Sequence, residues 1–247
     1  MTHPFEVRGE IDLDAPPEEV WDAIATGPGI DAWFMGHNSV EPGTGCTMSM
    51  TMGGHTQGSK ITAWEPNKRL AYRGEEGPDG SVHAFEYLVE GKEGGSTVLR
   101  FVHSGFMGDD WEAEYEALGK GWGMYLDKLA EYFTYFRGRR ATPIFAMVPP
   151  SEGEGDVVRR LQQGLGLQET PKAGDRVHLT PENLPAIDGV VDYVKGDFLG
   201  VRTDDAMYRF IRGYAGGAVL GHHLFAEGVD REATEQAWQD WLTKLFA

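Results

Sequence analysis

Cysteine is almost missing from this chain: Cys46 is the only one in 247 residues, so no internal disulfide can form. Positive charge is scarce too. Lys and Arg together number 22 against 39 Asp and Glu, a formal charge of -17, which repels phosphate backbones and anionic lipid surfaces. Nucleic acid and membranes are therefore not expected as partners. No run approaches the roughly 20 apolar residues that span a bilayer. The opening MTHPFEVRGE also lacks the basic-then-apolar order of a signal peptide, so a cytoplasmic location is the expectation. Catalytic signatures are missing as well: there is no nucleophile elbow, P-loop or dinucleotide fingerprint. GYAGGAVLG at 213–221 has glycines, but at the wrong spacing and with no helix to follow. No cofactor is expected.

What is present is 40% hydrophobic, enough for one large core or two ordinary ones, and two is the better fit to usual domain sizes of about 100 to 150 residues. FEVRGEIDLD places Val7, Gly9, Ile11 and Leu13 in the period-two pattern of a half-buried strand. After Asp14, expected as a cap, and Pro16-Pro17, the residues Val20, Trp21 and Ile24 form one face of a short helix, with proline suited to a first turn that has no N–H to lose. Beyond a turn at Gly27-Pro28-Gly29, the alternating segments CTMSMTM, SKITAWEPNKRLAYRG, HAFEYLVEG and STVLRFVHSG are punctuated by EPGTG, EPNKR, EGPDG and GKEGG. That is the pattern of an antiparallel meander with tight turns.

The strongest helix follows. Asp109 and Glu112 suggest a capping box, and Trp122, Tyr125, Leu126, Leu129, Tyr132, Phe133 and Phe136 lie on one face. Gly121 and Gly123 weaken that helix by about 1 kcal/mol each relative to Ala, which points to close packing against a neighbour or to room for a ligand. A curved antiparallel sheet buries its concave face only under another element, and this helix is the one available. The expected fold is therefore α+β, a helix-grip fold in which the sheet grips a long C-terminal helix.

DAPPEEVWDAI at 14–24, KITAWEPNKRLAYRG at 60–74 and GWGMYLDKLAEYF at 121–133 resemble the SRPBCC superfamily (START and birch-pollen-allergen-like), in its AHSA-like branch of heat-shock-chaperone ATPase activator homologues. The resemblance covers roughly residues 5–136 and implies a deep, mainly apolar cavity between sheet and helix, without implying one activity. The chaperone activators carry an additional N-terminal domain, whereas this pattern starts within ten residues of Met1, so chaperone activation is not carried over.

A shortened echo follows. G-x-D-x-E-A occurs from Gly108 and again from Gly228, 120 positions later, while Trp122 and Trp238 lie 116 apart. Losing four residues is close to one helical turn and preserves the face. IDGVVDYVKGDFLGVRT, AMYRFI and GGAVLGHHLF echo the earlier strands. Two domains are expected, 1–140 and a shortened helix-grip-like copy at 141–247, joined at RGRRATP, where Arg137, Arg139 and Arg140 suit a helix C-terminus and Gly138 its stop.

The candidate ligand-binding set is Trp33, Phe34, Met50, Trp64, Phe85, Tyr87, Phe101, His103, Trp111, Tyr115, Trp122 and Tyr125. Met48 and Met52 share a strand with Met50, and flexible thioethers suit an irregular apolar ligand; ordinary core packing is the better explanation of any one of these residues, while the group as a whole implies a cavity. His103 falls on His223 at the 120 offset and could serve as a general base with Tyr87, Glu86 or Asp110. His222-His223 cannot easily converge on one ion, because strand neighbours point to opposite faces, and His37, His55 and His83 show no ligand spacing, so no metal is expected. Three functions stay open: a binder of a small hydrophobic molecule, a polyketide cyclase or dehydratase-like enzyme using His103, and a chaperone-linked or regulatory module with a protein partner or as a homodimer.

Overall fold

The computed structural model describes residues 2–108, 111–150, 156–213 and 216–247. Asp109 and Asp110, expected as a cap and an acid, lie outside the described residues. The chain divides into two compact units, residues 1–140 and 141–247, each with its own antiparallel sheet. No helix among the described residues is long and apolar enough to cross a membrane.

In the first unit, β1 (His3–Leu13) leads through α1 (Pro17–Ala25) and α2 (Gly27–Ile30) into β2 (His37–Val40), β3 (Thr47–Met52), β4 (His55–Glu65), β5 (Arg69–Gly74), β6 (Val82–Gly91) and β7 (Thr97–Met107). The long helix α3 (Trp111–Glu131) follows and ends in a π-helical turn, Tyr132–Phe136. Strand order is β1-β7-β6-β5-β4-β3-β2, so the first strand closes against the last and the meander runs outward from it. Trp122, Leu129, Phe133 and Phe136 are buried, as the aromatic spacing of the helix predicts. This is the expected helix-grip fold.

Several local expectations are corrected. Asp14 does not cap α1, whose first residue is Pro17 and whose cap, Pro16, has no side-chain acceptor to offer; the Asp14 carbonyl instead accepts from Arg137 Nη1 at 3.1 Å. The Gly-Pro-Gly corner is a short helix rather than a plain turn, stabilised by Thr26 Oγ1, which accepts from Gly29 N–H at 3.0 Å and donates to the Asp22 carbonyl at 2.9 Å. Gly29 packs so closely there that a Cβ would lie 2.0 Å from that same carbonyl oxygen. A Cβ on Gly121 would meet nothing within 4 Å, so close packing does not account for that glycine. Arg137 forks onto the Glu19 carboxylate, with Nη2 at 2.9 Å, and Gly138 takes the left-handed φ of 76° that stops the helix.

In the second unit, β8 (Thr142–Val148) and α4 (Val157–Gly164) precede β9 (Arg176–Leu179), β10 (Ile187–Lys195), β11 (Phe198–Arg202), β12 (Ala206–Arg212), β13 (Ala218–Leu224) and α5 (Arg231–Leu245). Strand order is β8-β13-β12-β11-β10-β9. That is the order of the first sheet without β2, and among the described residues there is no counterpart of α2. Both sheets carry a register shift in the matching strand, at Ile61/Ala63 in β4 and at Val191/Tyr193 in β10. Asp156 and Asp230 cap α4 and α5, accepting from Arg159 N–H at 3.2 Å and Ala233 N–H at 3.1 Å. The short strands β2 and β9 escape sequence reading because four residues give too few alternations to register.

The histidine echo shifts by one position. His222, not His223, lies against the closing helix, its ring 4.6 Å from that of Trp238, as His103 lies 5.9 Å from Trp122. Trp238, Trp241 and Leu242 pack with Phe210, Leu199 and Leu220 into one core. Across β10 to β12, Asp192 and Arg209 form a buried ion pair at 3.0 Å. Gly200 makes room for it, since a Cβ there would lie 2.4 Å from Asp192 Oδ1.

Candidate functional site

The first unit holds a cavity of about 200 Å³ between the α1–α2 corner and strands β3 to β6. Ile24, Ile30, Trp33, Phe34, Met48, Met50, Tyr72, Phe85 and Tyr87 form its apolar walls, and Asn38, Ser49, Gln57, Ser59 and His83 bring polar groups to it. A ring-rich wall with a few polar atoms is the usual composition of a small-molecule site, although the volume is below the range of about 300–1,000 Å³ common for drug-sized ligands. The space suits one or two fused rings.

The corner that carries Trp33 and Phe34 is fixed from beneath. Asp31 Oδ1 accepts from the Asn38 backbone N–H at 2.7 Å and from its side-chain amide at 2.9 Å, while Oδ2 meets His37 Nδ1 at 2.7 Å. Burial raises the pKa of Asp31, an effect the Asn38 hydrogen bonds oppose. Trp33 Nε1 donates to the Ala23 carbonyl at 2.9 Å, tying the indole to α1. Phe34 then reaches across to Trp122 and Tyr125, with ring centroids 5.6 and 4.7 Å away.

On the sheet side, His83, Phe85 and Tyr87 alternate along β6. Phe85 is sandwiched between Tyr72, at 4.8 Å, and His103, at 4.0 Å. Burial pushes the Tyr72 and Tyr87 phenols well up, so both are neutral hydroxyls, with their rings stacked 6.4 Å apart. Phe101 stacks on Trp122 at 4.1 Å. Its ring occupies the space above Gly9, where a Cβ would lie 2.1 Å from the ring edge.

His103 is 3% exposed. Its Nδ1 accepts from Trp122 Nε1–H at 3.0 Å and its Nε2 lies 2.9 Å from His83 Nδ1. An indole nitrogen can only donate, so Nδ1 of His103 must be the bare nitrogen and Nε2 must carry the proton. Nε2–H therefore donates to His83, which in turn keeps its own proton on Nε2. Burial pushes the His103 pKa down to about 3, and the neighbouring His83 pushes in the same direction. Both ring nitrogens are committed, and the imidazole is neutral at any physiological pH.

The residues expected at the site thus separate. Trp33, Phe34, Met50, Phe85 and Tyr87 line the cavity, with Phe101, His103, Trp122 and Tyr125 packed behind them. Trp64 sits edge-on to Trp21 at 5.1 Å, while Trp111 stacks on His3 at 5.3 Å and the Tyr115 hydroxyl donates to the Glu6 carbonyl at 3.3 Å. These three tie helices to strands outside the cavity lining. Glu86 alternates away from Phe85 and Tyr87 and pairs with Arg69 at 2.7 Å, so the structure does not bring it to His103. Sequence reading missed Tyr72, Ser59, Gln57 and His83. The signal for His83 was present: it is two residues from Phe85 and four from Tyr87, on the same strand face. Among the described residues no group of three metal-ligating side chains forms.

Residues 14–134 match the family described as Activator of Hsp90 ATPase homolog 1-like protein. No curated protein matches the chain. Among solved structures, the chain is similar to protein MLL2253 from Mesorhizobium loti, at 26% identity over 53% of this chain and 97% of that one, with a TM-score of 0.47. It is also similar to DynU16 from the dynemicin biosynthetic locus, at 20% identity over 97% of this chain and 95% of that one, TM-score 0.47. The Aha1 dimer from Colwellia psychrerythraea gives 23% identity over 54% of this chain and 99% of that one, TM-score 0.45.

Proposed function

We propose, on the premise that the first unit belongs to the activator of Hsp90 ATPase homolog 1-like family, that this unit binds a small, mainly apolar molecule of one or two rings in the cavity beneath Trp33 and Phe34. The observation that carries this reading is the cavity itself: about 200 Å³ of space walled by rings and thioethers, with polar atoms confined to a few positions. Family membership alone would not distinguish a binder from an enzyme. Binding is favoured over acid-base catalysis because His103 has no uncommitted nitrogen, burial raises the Tyr87 pKa well above its ordinary value, and Glu86 is held by Arg69.

The test is a fluorescence titration with the neutral two-ring probe 6-propionyl-2-(dimethylamino)naphthalene. The native chain should give a saturable rise in emission, and Gly74→Phe should weaken it at least tenfold. Gly74 is suited to this because a Cβ there would have only the His83 carbonyl at 3.6 Å and Ser59 Oγ at 3.9 Å around it, so the new ring enters the cavity without displacing backbone. A native chain with no saturable response, or equal responses from both chains, would contradict the proposal.

A further inference from the structure

We infer that His83 is the polar anchor of this cavity, and that the ligand it fits presents an uncharged hydrogen-bond acceptor, such as a ketone oxygen, to His83 Nε2–H. The inference deepens the binding reading and rests on it. Its basis is the proton order forced along three side chains. Trp122 Nε1–H can only donate, so His103 Nδ1 accepts at 3.0 Å and His103 Nε2–H donates to His83 Nδ1 at 2.9 Å. His83 is then left with a single free polar group, and that group is a donor. The reverse order would leave His103 with no proton on either nitrogen, an imidazolate, which a site this buried does not tolerate.

His83 lines the cavity, and among the described residues no protein acceptor takes its Nε2–H. His83 is half-buried, and a ligand that fills the cavity and shuts water away from this donor without accepting from it leaves the donor unpaired at a cost, so the site discriminates in favour of ligands that supply an oxygen. Charge narrows the choice further. Burial lowers the His83 pKa despite the opposing pull of Glu114 and Asp79, so the ring is neutral, and those two carboxylates disfavour an anionic group beside it. A neutral oxygen acceptor on an otherwise apolar ring system is the chemistry that remains.

Two ligands that differ by one oxygen test this, 1-tetralone and its parent hydrocarbon tetralin, titrated by ligand-observed NMR against the full chain. His83→Phe should weaken 1-tetralone about threefold to tenfold, the usual worth of one hydrogen bond, and leave tetralin within about twofold. Trp122→Phe, which frees the proton order without touching His83, should reduce the same ratio. Nitrogen-15 shifts of the native protein give a readout independent of any ligand: His103 and His83 should each show a bare Nδ1 and a protonated Nε2. A protonated Nδ1 on His83, or equal changes for both ligands in His83→Phe, overturns the inference. Failure of both ligands to bind the native chain sinks the binding reading and the anchor with it, whereas binding without discrimination sinks the anchor alone.

Discussion

Replacing His103 with Phe separates what this residue does for stability from what it was expected to do for catalysis. Phe preserves the stacking on Phe85, at 4.0 Å, and removes both hydrogen bonds, leaving Trp122 Nε1–H and His83 Nδ1 without partners. Each buried group left unpaired costs about 1–3 kcal/mol, so the variant should start about 2–5 kcal/mol less stable at pH 7.5. The pH dependence is the sharper signature. His103 has an ordinary pKa of 6.5 when unfolded and about 3 when folded; its folded value is depressed, so its contribution is complete above pH 6.5 and is lost as pH falls toward 3. Within that window the native chain loses about 1.4 kcal/mol per pH unit through this one group. Between pH 6.5 and 4.5 the gap between native and His103→Phe should therefore close by about 2.3 kcal/mol. Urea series followed by hydrogen exchange of β6 and β7 peptides read the first unit separately from the second. A gap that stays constant between pH 6.5 and 4.5 would refute the assignment of a neutral, doubly committed His103.

Two further outcomes follow from the packing. Gly9→Val should force the Phe101 ring off Gly9 and disturb its stacking on Trp122, costing about 1–3 kcal/mol, measured by thermal melting; an unchanged melting temperature would show that the ring can move aside. In the second unit, Arg209→Met strands the Asp192 carboxylate in a buried site and should cost about 3–5 kcal/mol, whereas adding Asp192→Leu should restore most of the loss. A double variant as unstable as the single one would mean that the pair is needed for its charge and not merely for mutual neutralisation.

Much of the fold could be read from the chain because long elements have many chances to show their period. The face from Trp122 to Phe136 and the alternation along β4, β6 and β7 belong to this class, as does the echo of KITAWEPNKRLAYRG in IDGVVDYVKGDFLGVRT, which the matching hairpins β4–β5 and β10–β11 explain. The site was harder to read. Composition marks Trp64, Trp111 and Tyr115 as ring-bearing just as it marks Trp33 and Phe34, but only strand register and the reach of the α1–α2 corner decide which rings face the cavity. The polar lining was harder still, since Ser59 and Gln57 look like solvent-facing residues until the strand is placed. His83 and His103, twenty residues apart, become partners only through the antiparallel register that sets His83 opposite Gly105 and Phe85 opposite His103. The one-position error at His223 has the same origin: an offset measured at the helix caps does not carry unchanged into the strand before them.

The central claim, that the cavity beneath Trp33 and Phe34 is a ligand site, is tested most directly by titrating the full chain, carbon-13 labelled at its methionine methyls, with 1-tetralone. The methyls of Met48 and Met50, which line the cavity, should shift saturably, while that of Met147, 47% exposed in the second unit, stays in place. Saturable shifts at Met147 with Met48 and Met50 unmoved, or no saturable shift at any of the three, would contradict it.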